Sequence, residues 1–271
     1  IGLLSDDLLK ALKSTHESLL RDNSEFIDES LEKLAEIYSI AGFPEKATYY
    51  VSELLSINHD SAMYYYWLSG IAFLSWNIDE SYSYTEKAMQ IDSTNYLYVY
   101  FTCLHRTGNY KRIYADFLKP YEPDFYTDDL PDLGPYFNET FGAHLGMYYW
   151  FQGDTAKARV LLQNQIERLK QTFTKRGVFG LAVRDALSHW LELCSVTGDI
   201  DCAFHLFRQF LDISSNFDVY GGGYYISFKM SPLFANIRQE SWFQDAIHEW
   251  ESELATEHER VRQWLEENDM L

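Results

Sequence analysis

Leu145-Gly146-Met147-Tyr148-Tyr149-Trp150-Phe151-Gln152-Gly153-Asp154-Thr155-Ala156-Lys157-Ala158-Arg159-Val160-Leu161-Leu162 is two apolar stripes hinged on one glycine. Leu145, Gly146 and Tyr149 fall on one face at helical spacing, and Ala158 and Leu162 do the same after the hinge. Gly153 can take the left-handed conformation that ends a helix, and Asp154 suits the start of the next one. A small residue on the first helix (Gly146) facing a small residue on the second (Ala158) lets two antiparallel helices approach closely, with bulky neighbours filling the ridges. The segment reads as helix, turn, helix.

The same phrase recurs on both sides. It reads Gly42…Ala47…Val51, Gly108…Ile113…Phe117 and Gly198…Ala203…Phe207. Each glycine follows an amphipathic stretch: Leu31/Leu34/Ala35/Tyr38, Tyr98/Phe101/Leu104, and Leu187/Trp190/Leu191/Cys194. A fifth copy is degenerate, with Tyr65, Leu68, Ser69, Ala72, Ser81, Thr85 and Ala88 in register and Trp76 standing where the glycine belongs. Ala47 and Ser81 are 34 residues apart, whereas Ile113, Ala158 and Ala203 are spaced by 45. A period of this size marks an array of stacked supersecondary units.

These residues resemble the tetratricopeptide repeat (TPR), with its large–small–aromatic pattern on helix A and Ala–aromatic–Ala on helix B. The resemblance covers most of residues 28–213, although no repeat keeps the terminal proline. It implies an all-α fold, a TPR-like α-α superhelix (solenoid) of about five helical hairpins with a C-terminal capping helix. The expected organisation is an N-terminal helix or incomplete repeat (1–27), repeats 1–3 (28–118), a Pro-rich acidic insert (119–138), repeats 4–5 (139–213), a Gly/Tyr loop (214–231) and capping helices (232–271). The loop assignment rests on Gly221-Gly222-Gly223 and Tyr224-Tyr225. The tail from Ser231-Pro232-Leu233-Phe234 through Trp242-Phe243 and on to Trp264-Leu265 is similar to the end of the TPR region in bacterial multi-domain regulators. Those include winged-helix regulators of the CadC/ToxR type and TPR-bearing cyclases and kinases.

Composition narrows the function. The 271 residues carry 41 Asp and Glu against 22 Lys and Arg, a formal net charge of -19. Such a surface repels phosphate backbones and anionic headgroups, which excludes nucleic-acid binding through this chain. A content of 46% hydrophobic residues is ample for a core, and no apolar run is long enough to span a bilayer. The chain opens at Ile1 without a basic, apolar leader, so it is expected to be a fragment or processed form, with any membrane contact in a segment outside it. Its compartment is open between periplasm and cytoplasm.

The residues show no catalytic constellation. A phosphate-binding loop, a nucleophile elbow and a dinucleotide fingerprint are all missing. His248-Glu249-Trp250-Glu251-Ser252 starts like a zinc-protease helix and fails at the fifth residue, where the second imidazole must sit. Asp124, Asp128, Asp129 and Asp132 could offer oxygens to calcium, but a solvated acidic loop is the expectation. Cys194 and Cys202 face each other across a turn, where two small core residues are expected and a disulfide is open to an oxidising compartment. No cofactor or metal is expected.

Function therefore belongs to the helix A faces, which line the concave side of such arrays. In the register these are Met63, Tyr66 and Phe73 in repeat 2, with Tyr98, Thr102 and His105 in repeat 3. Repeat 4 adds Met147, Trp150 and Phe151, while Glu29, Glu32 and Glu36 at one end and Asp185 and Glu192 at the other are acidic. The expected partner is a protein or peptide with basic or apolar segments. Two roles fit: a non-enzymatic interaction or sensing domain at the C-terminal side of a bacterial signalling or transcription-regulatory protein, or a free-standing scaffold. A weaker third is a small-molecule-binding or hydrolytic domain using the acidic insert.

Overall fold

The computed structural model describes residues 7–20, 27–119, 135–176, 181–214 and 221–270, and there it is helical throughout, with no strand. The chain divides into two compact units. Unit 1 comprises 1–103, 214–230 and 241–271; unit 2 comprises 104–213 and 231–240. No helix among the described residues is long and apolar enough to cross a membrane.

In unit 1, α1 (Asp7–Leu20) precedes the hairpin of α2 (Ile27–Ile40) and α3 (Pro44–Asn58), then the hairpin of α4 (Ser61–Leu74) and α5 (Ile78–Ile91), then α6 (Ser93–Arg106), whose last residues belong to unit 2. In unit 2, the short α7 (Tyr110–Ile113) runs into a π-helical turn, Tyr114–Leu118. The hairpin of α8 (Pro135–Phe151) and α9 (Thr155–Arg176) follows, then α10 (Leu181–Thr197) and α11 (Ile200–Ser214).

The five expected turns are built alike. In the first, the Gly42 N–H donates to the Ser39 carbonyl at 3.3 Å and the Phe43 N–H to that of Tyr38 at 2.8 Å. The same pair of bonds forms at Trp76/Asn77, Gly108/Asn109, Gly153/Asp154 and Gly198/Asp199. This arrangement satisfies the orphan carbonyls at a helix end and requires a left-handed residue. The four glycines have φ between 71° and 84°, and Trp76, the degenerate one, has φ 52°. Five residues after each turn residue, the hairpin buries Ala47, Ser81, Ile113, Ala158 or Ala203 completely. On the preceding helices the small residues Ala35, Ser69 and Gly146 are buried as well, and Gly146 is covered by Leu161 and Leu162 of the next helix. In the second hairpin the small pair is polar, and Ser69 Oγ bonds Thr85 Oγ1 at 2.5 Å and Ser81 Oγ at 3.2 Å, so the buried hydroxyls satisfy one another.

The C-terminal region departs from the expectation. Residues read as a Gly/Tyr loop include a helix, α12 (Gly221–Met230). Each glycine costs about 1 kcal/mol of helix propensity. Tertiary contacts offset that: Phe228 is fully buried and stacks on Trp250 at 5.8 Å, and the Tyr225 hydroxyl donates to Glu251 Oε1. After a 3-10 turn, Pro232–Phe234, the tail forms one long helix, α13 (Ser241–Glu267). Read as a cap for the last repeat, it contributes Val261 and Leu265 to the core of α1, α2 and α3. Its His258 ring stacks on Phe43 at 4.5 Å and bonds the Ala41 carbonyl at 2.7 Å, against the first turn.

The insert is shorter than read, because α8 already begins at Pro135, where a proline's missing N–H costs nothing. Asp124, Asp128, Asp129 and Asp132 lie outside the described residues. Cys194 and Cys202 form a disulfide with Cα atoms 5.9 Å apart, where two unbonded core residues were expected. The antiparallel path through Gly198 brings the two Cα atoms within bridging range. Cys103 is buried and outside any disulfide.

His16 gives unit 1 a pH dependence. Its Nε2 lies 2.9 Å from the Tyr38 hydroxyl, and burial, then the Lys46 charge, hold its pKa below the ordinary 6.5. The unfolded chain takes up a proton below about pH 6.5 while the folded chain resists it. Stability present above that pH is thus lost as pH falls through the folded value. Melting temperature should fall between about pH 7 and pH 5, less steeply in His16→Gln; equal slopes would show that His16 is not the cause.

Candidate functional site

The positions expected to face a groove divide by burial. In unit 1, Tyr66 is exposed, Met63 and Thr102 are half-buried, and Phe73 is buried at 8% exposure beside Trp76. Tyr98 lies on α6, but its side chain is outside the described residues. In unit 2, Phe151 is exposed and Trp150 half-buried, while Met147 and His105 are interior at 2% and 6% exposure. Phe73, Met147 and His105 are therefore not surface contacts. Their helices are packed on more than one side, so apolar faces that looked spare are covered.

Around Tyr66 unit 1 is aromatic and acidic, with Tyr66 and Asp60 exposed and Tyr96, Asp92 and Glu32 half-buried. The Tyr66 ring lies 5.7 Å from that of Tyr96. Asp60 and Asp92 sit at the starts of α4 and α6, where their carboxylates accept backbone N–H groups at 2.9–3.2 Å. Burial, followed by Asp60, Asp92, Tyr66 and Glu32, pushes the Tyr96 phenol up to about 12. Burial and the neighbouring carboxylates Asp28, Glu29 and Glu36 also raise the Glu32 carboxyl. Burial is the larger cause of both shifts, and the neighbouring carboxylates are the second, a contribution that a cation relieves.

A second constellation lies inside unit 2. His105 on α6, His144 on α8 and His189 on α10 gather their rings with centroids 4.8, 4.7 and 5.1 Å apart. Their exposures are 6%, 1% and 9%, and Glu192, one turn beyond His189, is 5% exposed. The His105 Nε2–H donates to Glu192 Oε2 at 2.9 Å, and the His189 Nδ1–H donates to the same oxygen at 2.7 Å. The Tyr110 hydroxyl donates to His105 Nδ1 at 2.7 Å. These tautomers are assigned from the hydrogen-bond partners. Burial pushes the His105 imidazole down despite the neighbouring carboxylate. Burial works to raise Glu192, but the N–H groups that His105 and His189 aim at it outweigh that and hold the carboxyl well below its usual range. The arrangement is a buried carboxylate orienting two imidazoles, with a third beside them.

Only His105 and Glu192 had been singled out from the sequence, both as groove residues. A signal was present, since His144 and His189 each stand nine residues before the turn glycine of their own repeat. Equivalent positions on successive helices A bring side chains side by side. The chain matches no protein-family model and no curated protein.

Proposed function

We propose that the chain is a TPR-like array of helical hairpins that binds a basic, partly apolar segment of another protein and performs no chemistry itself. The observation carrying this reading is the Tyr66–Tyr96 pair with Asp60, Asp92 and Glu32 around it. Tyrosine supplies contact area with a polar handle, and carboxylates select Lys and Arg. The resemblance of the tail supports placing the chain at the C-terminal side of a bacterial signalling or transcription-regulatory protein. The Cys194–Cys202 bond favours an oxidising compartment such as the periplasm, for that domain or for a free-standing scaffold.

The test is fluorescence anisotropy of labelled basic amphipathic peptides against the full chain. Tyr66→Ala should weaken binding about 10-fold, and Glu32→Gln should weaken it less while reducing its salt dependence. Equal affinity for an acidic peptide of the same apolar pattern, or unchanged binding by Tyr66→Ala, defeats the proposal.

A further inference from the structure

We propose that His105, His144 and His189 form a site for one divalent transition-metal cation, Zn²⁺ foremost, oriented by Glu192. One ring nitrogen from each histidine lies within 4.8 Å of the other two. Zn–N bonds of about 2.0–2.1 Å at tetrahedral angles place nitrogens roughly 3.3 Å apart, so side-chain rotations on the order of 1 Å close the set. Imidazole nitrogen suits Zn²⁺ and its first-row neighbours better than Mg²⁺ or Ca²⁺, which prefer oxygen.

The hydrogen bonds specify more than proximity. Glu192 takes the N–H of two rings, and in the neutral tautomers this leaves a lone pair on His189 Nε2 and one on His105 Nδ1, the latter accepting the Tyr110 hydroxyl, a bond that a metal at that nitrogen would displace. His189 Nε2 is buried with no hydrogen-bond partner. An orphaned buried acceptor is destabilising, and a cation removes that penalty. A carboxylate accepting from the far side of an imidazole is the arrangement that fixes the tautomer and raises basicity in metal sites. The single negative charge of Glu192 also offsets part of the cation's charge. Against it stands Arg106, whose charge acts on His105. The three histidines come from three helices, so a bound ion would tie α6, α8 and α10 together within unit 2.

The proposal is independent of the partner-binding reading. Its test uses the full chain, stripped with chelator and titrated with Zn²⁺ alone and with Co²⁺ alone. The expected result is one ion per chain, a rise in melting temperature with Zn²⁺, and the intense visible absorption of four-coordinate Co²⁺. His189→Gln should weaken Zn²⁺ binding at least about 100-fold, and Glu192→Gln about 10- to 100-fold. His205→Ala, at an exposed position, should change nothing. Unweakened ion binding in His189→Gln, or loss of binding in His205→Ala, overturns the proposal. So does a wild-type chain that takes up no stoichiometric Zn²⁺. If the variants fail to fold, X-ray absorption at the zinc edge of the wild-type complex decides, with three imidazoles expected and one or none overturning it.

Discussion

Gly108→Ala should lower stability by about 2–4 kcal/mol, while the same change at Gly153 or Gly198 should cost about 1–2 kcal/mol. All three glycines hold positive φ, at 71°, 84° and 78°, so a side chain at any of them meets the left-handed penalty. They differ in their surroundings. A Cβ on Gly108 would come within 2.4 Å of Pro232 Cγ, whereas one on Gly153 or Gly198 would meet nothing within 4 Å. Proline's ring has no rotamer to escape into, so the third turn or the Pro232–Phe234 segment must move. That segment is anchored nearby, with Asn236 Nδ2 donating to the Ser195 and Val196 carbonyls at 2.9 and 3.1 Å. Urea denaturation of the three variants followed by circular dichroism measures the difference. Equal losses would mean that the third turn and the 3-10 segment are not in contact.

Tyr38→Ala should cost about 3–5 kcal/mol, the range for emptying a large buried ring site. Tyr38 is fully buried, stacks on Tyr50 at 5.4 Å with planes 6° apart, and meets His16 Nε2 through its hydroxyl. The cavity would open where α1, α2, α3 and α13 meet, between layers that cannot collapse independently. Tyr38→Phe keeps the ring and should cost about 1–2 kcal/mol through the lost hydrogen bond. The measurement is again urea denaturation. A Tyr38→Ala loss below about 1 kcal/mol would mean that this core is not closed as described.

The turns show what local sequence carries. Trp76 was placed at a glycine position by register alone, and its backbone takes the left-handed conformation there despite a side chain that disfavours it. The hairpin hydrogen bonds explain why: two carbonyls at the end of α4 need donors, and the following helix must start within two residues. By contrast, the glycine run at Gly221–Gly223 suggested a break, and the helix there is held by Phe228, Trp250 and Glu251, which lie up to about thirty residues further on or pack across the unit. Composition of a short window does not contain that information.

The candidate sites divide in the same way. Of the aromatic and Met positions assigned to the groove by register, Tyr66 and Phe151 are exposed, whereas Phe73 and Met147 are covered by neighbouring helices. His105 was noticed for its helix face, but its contact with His144 and His189 depends on three helices converging.

From sequence alone came the helical class, the five turns and the burial of a residue five positions after each turn, because these follow from φ preferences, helix-end hydrogen bonds and apolar spacing within about one period. Tertiary structure alone decided that α13 completes the core of the first hairpin, that Cys194 and Cys202 are bonded, and that two imidazoles share one buried carboxylate with a third ring beside them. Those outcomes rest on which helix faces are brought together and kept from water, a property of the packed chain that no local window encodes.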